Sequence, residues 1–296
     1  MFPLLGPSVE MVYYLTLDEA LDQRLSEITE VSESGVVPEL RVMNRGLKAT
    51  LIIDGEELVG AKQNRVVNLT ILVGAKSKVT IPVSCVEAGR WRARSSAFAA
   101  APRAQYATGR AKRMAQVTRS MTDRGERAGD QSAVWADIAD KSARMHASSP
   151  TSAMEQIFTD YAAPIERYVT GCVPIDGQIG ALFAIGERIV GFDLFDDAGT
   201  FRKLLPKLVR SYAVDAIDTL SGSVPSKKKR TRANAVPTET VVSHLVPGFL
   251  AAIAAAPQRH MPAIGVGDDV RLSGDGLAGA ALVVDARVLH LSGFHV

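Results

Sequence analysis

The stretch NRVVNLTILVGAKSKVTIPVSCVE, residues 64–87, restricts the possible folds more than any other part of the chain. Apolar side chains recur at every second position: Val67, Leu69, Ile71 and Val73, then Val79, Ile81, Val83 and Cys85. A period of two is that of a strand with one face buried. A helix would scatter the same residues around its axis. Gly74-Ala75-Lys76-Ser77 reads as the turn between two such strands. Upstream, ELRVMNRG and KATLIIDG read as two more strands, turned at Asn44-Arg45-Gly46. The span Pro38–Glu87 is therefore expected to form an antiparallel, sandwich-like β layer. Before it, residues 12–30 read as a strand or turn followed by a short helix, with Thr16 and Asp18 as candidate caps.

The C-terminal half repeats a different unit. GQIGALFAIGERIVGFDLF (177–195) and GLAGAALVVDARVLHLSGF (276–294) each read as a β-hairpin, with tight polar turns at Gly186-Glu187 and Asp285-Ala286. Set 99 residues apart, they match at Gly177/Gly276, Gly180/Gly279, Ala181/Ala280, Arg188/Arg287 and Phe195/Phe294. Shared architecture accounts for this without common descent. Between them, TFRKLLPKLVRSYAVDAIDTL puts Phe201, Leu204, Leu205, Leu208, Tyr212 and Ile217 on one helical face, and Pro206 implies a late start or a bend. Further helices are expected at about 131–146 and 152–170. The fold class is thus α+β: an antiparallel β layer in the N-terminal half, and helices packed on further β-hairpins in the C-terminal half. Residues 1–296 are expected to form one domain.

The 296 residues carry a net charge of +2, so no global field directs the chain to nucleic acid or to a membrane surface. Cys85 and Cys172 form no CxxC, which excludes a zinc module or a disulfide framework and suits a reducing cytoplasm. MFPLLGPSVEMVYYL lacks a basic n-region and a small-residue cleavage site, so no signal peptide is expected. The apolar run VVSHLVPGFLAAIAAAP, interrupted by His244 and Pro247, is too short to span a bilayer. Charge is uneven only locally. From Arg90 to Arg127 there are ten basic residues against two acidic ones, with few bulky apolar residues. Residues 92–127 are accordingly expected to be a partly flexible excursion contributing little to the core. The Lys/Arg run within 221–237 is expected to be a basic surface loop.

Chemistry concentrates in DGEELVGAKQNR, residues 54–65. Asp54, Glu56 and Glu57 precede a polar tetrad, Lys62, Gln63, Asn64 and Arg65. The two amides offer donors and acceptors, Arg65 a planar fork for phosphate or carboxylate, and Lys62 a point charge. Glu56 and Glu87 are the candidate catalytic carboxylates. Glu87 falls on the apolar face of its strand, where a carboxylate must be paired or desolvated. By the same parity Cys85 is expected to be buried and inert. Arg90 and Trp91 could hold a phosphate and stack on a base. Asp193, Asp196 and Asp197 precede a helix start. They read as caps, and Asp193 and Asp196 are also the candidate ligands of a divalent metal shared with Glu56 or Glu87. GDGLAGAAL lacks the strand–loop–helix context of a dinucleotide fingerprint, and His290 reads as structural.

DGEELVGAKQNRVVN, IPVSCVEAGRW and FDLFDDAGTFRKLLPKLVRSYAVDA, with VGDDVRLSGDGLAGAALVVDARVLHLSGF at the C-terminal end, resemble the ARPP family, the ADP-ribosylglycohydrolase and rhodanese-phosphatase-superfamily-associated proteins. The resemblance implies a link to NAD or ADP-ribose metabolism and names no cofactor or reaction. It favours recognition, with hydrolysis as a further step, of an ADP-ribose-type nucleotide. Alternatives are an interaction or scaffold module and, through the basic 90–127 stretch, nucleic-acid binding. A small-molecule nucleotide partner is expected, membrane association is not, and a homo-oligomer is compatible with the sequence.

Overall fold

Antiparallel pairing dominates the structure, a computed structural model that describes residues 1–7, 9, 11–221 and 238–296. The chain begins with β1 (Phe2–Leu5), β2 (Tyr14–Thr16), α1 (Leu17–Asp22) and β3 (Ser26–Glu30). It continues through β4 (Glu39–Asn44), β5 (Ala49–Ile52), β6 (Glu56–Gly60), β7 (Arg65–Val67), β8 (Ile71–Val73) and β9 (Lys78–Cys85). Next come β10 (Phe98–Ala104), α2 (Ala107–Arg124), α3 (Gln131–Arg144), α4 (Glu155–Asp160) and α5 (Ala162–Gly171). β11 (Gln178–Ile185), β12 (Arg188–Phe195), α6 (Ala198–Ser221) and α7 (Thr238–Ala255) follow. β13 (Gln258–Pro262), β14 (Asp268–Gly274), β15 (Leu277–Val284) and β16 (Arg287–His295) complete it. The class is α+β with a β layer in the N-terminal half. The basic loop expected at 221–237 lies, apart from the backbone of its first residue, outside the described residues.

Two sheets build the N-terminal layer: six strands in the order β10-β6-β7-β9-β4-β3, and three in the order β2-β5-β8. All the ladders are antiparallel except β2 with β5. The alternation over 64–73 does not make one strand. β7 belongs to the larger sheet and β8 to the smaller, and every residue of both is buried. The break falls where Asn68 accepts a hydrogen bond from Ser84 at 2.8 Å and donates to Arg127 O at 3.2 Å, which holds the chain as it crosses between sheets. α1 is short because Thr16 and Glu19 close a capping box at one end while SEITE is drawn off to pair with β4 at the other.

The expectation of a loosely attached 92–127 is overturned for residues 98–124, which form β10 and α2. Ala107, Ala111 and Met114 of α2 pack with Phe195, Phe201, Leu204 and Phe294 of the C-terminal half. One turn further on, Val117 and Met121 enter the N-terminal core with Leu58, Val67 and Ile81. The helix joins the two cores. Its alanines permit close approach, and its arginines carry the burial that apolar residues were expected to carry.

A seven-stranded antiparallel sheet, β1-β11-β12-β16-β15-β14-β13, forms the second half. The two hairpins read from sequence sit at its centre, joined through β12 and β16. Gly180 lies opposite Leu194, and 99 residues on, Gly279 lies opposite Gly293. The ladder irregularity between Phe183 and Ala184 recurs at the same offset, between Leu282 and Val283. Asp193 faces Ser292 across the joint, so a local two-fold axis passes at that pair. α6 covers this sheet with Phe201, Leu204, Leu205 and Leu208. It starts at Ala198, well before Pro206, so the late start allowed for by that proline does not occur.

Candidate functional site

The three carboxylates of the 54–57 stretch part company. Period two sends Glu56 and Glu57 to opposite faces of β6, and Asp54 lies ahead of the strand. Glu56 accepts a hydrogen bond from Lys207 of α6, which also bonds Asp18 at 2.8 Å. Burial pushes Glu56 above the ordinary carboxylate range, and Lys207 only partly opposes this. Glu57 takes the Nε of Arg103 at 2.6 Å, and Arg103 reaches Glu155 at 3.1 Å. Burial likewise raises Glu57. Asp54 takes the guanidinium of Arg110. Arg103 and Arg110 both come from the basic stretch, so the acidic turn and the basic run are largely each other's counter-ions. Arg113 of the same stretch is also engaged, bonding Val67 O at 2.7 Å and Gln105 at 2.8 Å.

Arg110 lies at the centre of a fully buried polar cluster. Its Nη2 is 3.0 Å from Asp54 Oδ1 and 2.7 Å from Asp193 Oδ1, and its Nη1 is 3.1 Å from Asp193 Oδ2. Tyr212 donates to Asp193 at 3.0 Å, Ser292 to Asp54 at 3.2 Å, and the backbone N–H of Asp54 to Thr70 at 3.2 Å. His290 bridges the cluster, its Nδ1 2.7 Å from the Thr70 hydroxyl and its Nε2 3.2 Å from Asp193 Oδ1. Gly55 makes the approach possible. Its φ is +79°, and a Cβ there would meet Arg110 Cγ at 2.8 Å. Asp54, Asp193 and His290 bring potential metal-ligand atoms within 4.8 Å of one another. The position between the two carboxylates is nevertheless taken by a guanidinium that stays charged, so a divalent ion would have to displace it. Asp193 is thereby assigned to an ion pair. Asp196 turns instead to Tyr14, at 2.5 Å, and Glu56 and Glu87 pair elsewhere. The shared metal site read from the sequence does not assemble.

The remaining candidates do come together. β7 pairs with β9, placing Arg65 opposite Cys85 and the 61–64 turn beside Glu87. Glu87 Oε2 accepts from the Asn64 N–H at 3.1 Å and from Arg90 at 2.7 Å, and Oε1 accepts from Thr151 at 2.8 Å. Gln63 donates to Glu87 O at 2.9 Å, and Arg90 donates to Asn64 Oδ1 at 3.1 Å and to Ala61 O at 2.6 Å. Burial pushes the Glu87 carboxyl up, but Arg90, Thr151 and the Asn64 N–H together hold it below the usual value. With both oxygens engaged, Glu87 is an anchor for the turn rather than a free acid or base.

Above this floor Trp91 is 48% exposed, with Lys62 Nζ 5.4 Å and Arg65 Cζ 5.7 Å from its ring centre. Arg92 and Arg94 are exposed beside it. Arg65 is fully buried and forms no salt bridge among the described residues. Its hydrogen bonds go to Val37 O, Gln63 and Asn64 O, and its Nη2 has no partner. A cleft of about 440 Å³, lined by Glu30, Arg41, Ala61, Lys62 and Ser95 among others, adjoins this shelf. Thr151 through Glu87, Glu155 through Asn64 at 3.3 Å, and Arg103 through Glu155 take part unannounced. Only tertiary pairing brings them near, and no spacing in the sequence could have signalled them.

Cys85 is buried beneath the same turn, its Sγ 3.2 Å from Gln63 Oε1, and burial raises its thiol above the ordinary value. Such a thiol is a poor nucleophile. Iodoacetamide is expected to modify native Cys85 no faster than global unfolding exposes it, as peptide mapping after timed quenching would show. Rapid labelling in the folded protein would restore it as a reactive group.

No helix among the described residues is long and apolar enough to cross a membrane. A family model described as "ARG and Rhodanese-Phosphatase-superfamily-associated Protein domain" matches residues 1–294. No curated protein and no solved structure matches the chain.

Proposed function

The chain belongs to the ARPP-1 family, whose name records an association with ADP-ribosylglycohydrolases and the rhodanese-phosphatase superfamily, and from that premise we propose that it recognises an ADP-ribose-type nucleotide at the Trp91 shelf. The observation carrying this reading is Arg65, a buried guanidinium with no carboxylate partner and an unpaired Nη2, beneath a half-exposed indole. The carboxylates of Glu30 and Glu87 act on it only from beyond ion-pair contact, and a buried cation so weakly compensated suits an anion that arrives from outside. Lys62, Arg92 and Arg94 add positive charge at the rim. The indole offers a stacking face for a base, and the amide-rich turn offers partners for ribose hydroxyls.

Recognition is favoured over hydrolysis because neither candidate catalytic carboxylate is free. Glu56 is paired to Lys207 in a different neighbourhood, and Glu87 is fully hydrogen-bonded. The test is a thermal-shift and calorimetric titration with ADP-ribose, NAD, AMP and ribose 5-phosphate, with and without divalent metal, alongside assay of nucleotide products. ADP-ribose is expected to stabilise the protein. Trp91→Ala should weaken binding by the worth of one stacking contact, about 1–3 kcal/mol, while leaving the melting temperature of the free protein nearly unchanged. Failure of all four ligands to bind at millimolar concentration, or binding indifferent to Trp91→Ala, would remove this reading. Turnover of a bound nucleotide would show that recognition is only part of the activity.

A further inference from the structure

A second cleft lies away from the Trp91 shelf, where the end of β12 meets the β15–β16 turn. It encloses about 220 Å³ between Tyr13, Tyr14, Leu72 and Leu289 on its apolar walls and Asp196, Asp285 and Arg287 as its charged groups. A dry cavity of about 150 Å³ takes a benzene-sized ring, so this one takes a single substituted ring.

Asp196 gives the cleft its chemistry. Its side chain is 3% exposed, yet the carboxylate is only half engaged. Oδ1 accepts from the Tyr14 hydroxyl at 2.5 Å. Oδ2 has no hydrogen-bond partner, and the nearest cation, Arg287 Nη1, stands off at 3.9 Å on a side chain 46% exposed. Other buried carboxylates have a cation in close contact, Asp193 from Arg110 at 2.7 Å, Glu57 from Arg103 at 2.6 Å and Glu87 from Arg90 at 2.7 Å, even though Glu57 Oε1 is itself without a hydrogen-bond partner. An unpaired buried carboxylate oxygen is expensive to maintain, and here it belongs to a residue lining an apolar slot large enough for a ring. Burial, with Asp197 adding to it, pushes the Asp196 carboxyl above its ordinary value, as expected where a counter-cation is missing.

We infer that this cleft is a binding site for a small organic cation, a single apolar ring bearing a protonated nitrogen that would reach Asp196 Oδ2 while the ring lies against Tyr14, Leu72 and Leu289. Two carboxylates against one arginine make the lining net negative, which selects a cation over an anion. The inference is independent of the Trp91 shelf, whose surroundings are basic.

Phenethylamine is a suitable probe, and 2-phenylethanol is its neutral counterpart. In methyl-detected NMR titrations, the amine is expected to shift the Leu72, Val284 and Leu289 signals saturably and to bind about tenfold or more tightly than the alcohol, because only the amine offers a charge-assisted hydrogen bond. Asp196→Asn keeps an acceptor for Tyr14 and should weaken the amine by a similar factor without affecting the alcohol. Arg287→Ala removes an exposed competitor for the carboxylate and is expected to tighten the amine by up to about fivefold, so the inference stays testable if Asp196→Asn does not fold. Equal affinity for amine and alcohol, shifts confined to other methyls, undiminished amine binding to Asp196→Asn, weaker amine binding to Arg287→Ala, or no saturable response would each overturn it.

Discussion

Arg110→Ala is expected to destabilise the protein by about 3–5 kcal/mol, the cost of removing one partner from a buried ion pair. The effect should reach the upper part of that range. Arg110 serves two buried carboxylates, and its loss leaves both Asp54 and Asp193 beside an empty volume. Asp193 is held far below its ordinary value: burial pushes it up, but Arg110 and His290 overcome that. Arg110→Lys should recover only part of the loss, because an ammonium cannot make the four forked contacts to Asp54 and Asp193. Urea denaturation of wild type, Arg110→Ala and Arg110→Lys measures this. A loss below about 1 kcal/mol for the alanine variant would mean the cluster is far better hydrated than its burial implies.

The same buried carboxylates set a two-phase response to acid. Asp54, Asp193 and Glu87 have folded-state values below the ordinary ones. For Asp54, burial pushes up and is outweighed by Arg110 and Arg113. Groups lowered in this way bind fewer protons folded than unfolded. Their stabilisation is complete above the unfolded values, roughly pH 4, and is lost as pH falls through the folded ones. Glu56, Glu57 and Asp196 are raised, chiefly by burial, and act in the opposite sense. They take up protons in the folded state first, so stability contributed by their protonation appears as pH falls toward the unfolded values. The urea midpoint at pH 5 is therefore expected to equal or exceed that at pH 7, and then to drop by about 1 M or more by pH 3. A steady decline from pH 7 to pH 5 that levels off below pH 4 would contradict the assignment of these shifts.

Much of the fold was legible. The hairpins at 177–195 and 276–294 were read with correct turns, because a tight turn needs particular residues locally. Gly186 has φ +60°, and Asp285 and Ala286 have φ +50° and +61°. The apolar face of α6 was read from its period, and α3 fell within the span expected for it. The site was legible in part. Lys62, Gln63, Asn64, Arg65, Glu87, Arg90 and Trp91 are neighbours because one short ladder, β7 on β9, brings residues some twenty apart together. Glu56 did not join them, although strand parity alone put it on the face opposite Glu57. The misreading of 92–127 has a different cause. Counting bulky apolar residues identifies a hydrophobic helix. β10 and α2 instead bury arginines whose charges are paired, Arg103 of β10 by Glu57 of β6 and Arg110 of α2 by Asp193 of β12 and by Asp54.

The sequence by itself determined the strand and hairpin periodicity, the turn positions, the amphipathic helix and the polar turn at 61–64. Each of these depends on side-chain spacing along a few consecutive residues. Only the tertiary structure decided which charges neutralise which. Arg110 meets Asp54 and Asp193, Glu56 meets Lys207, and Glu57 meets Arg103, across separations of 46 to 151 residues. Charge interactions are set by distance in space and by the exclusion of water, and a linear pattern encodes neither. For the same reason the sequence could mark Arg65 and Asp196 as polar, but only the fold could leave Arg65 Nη2 and Asp196 Oδ2 without a hydrogen-bond partner.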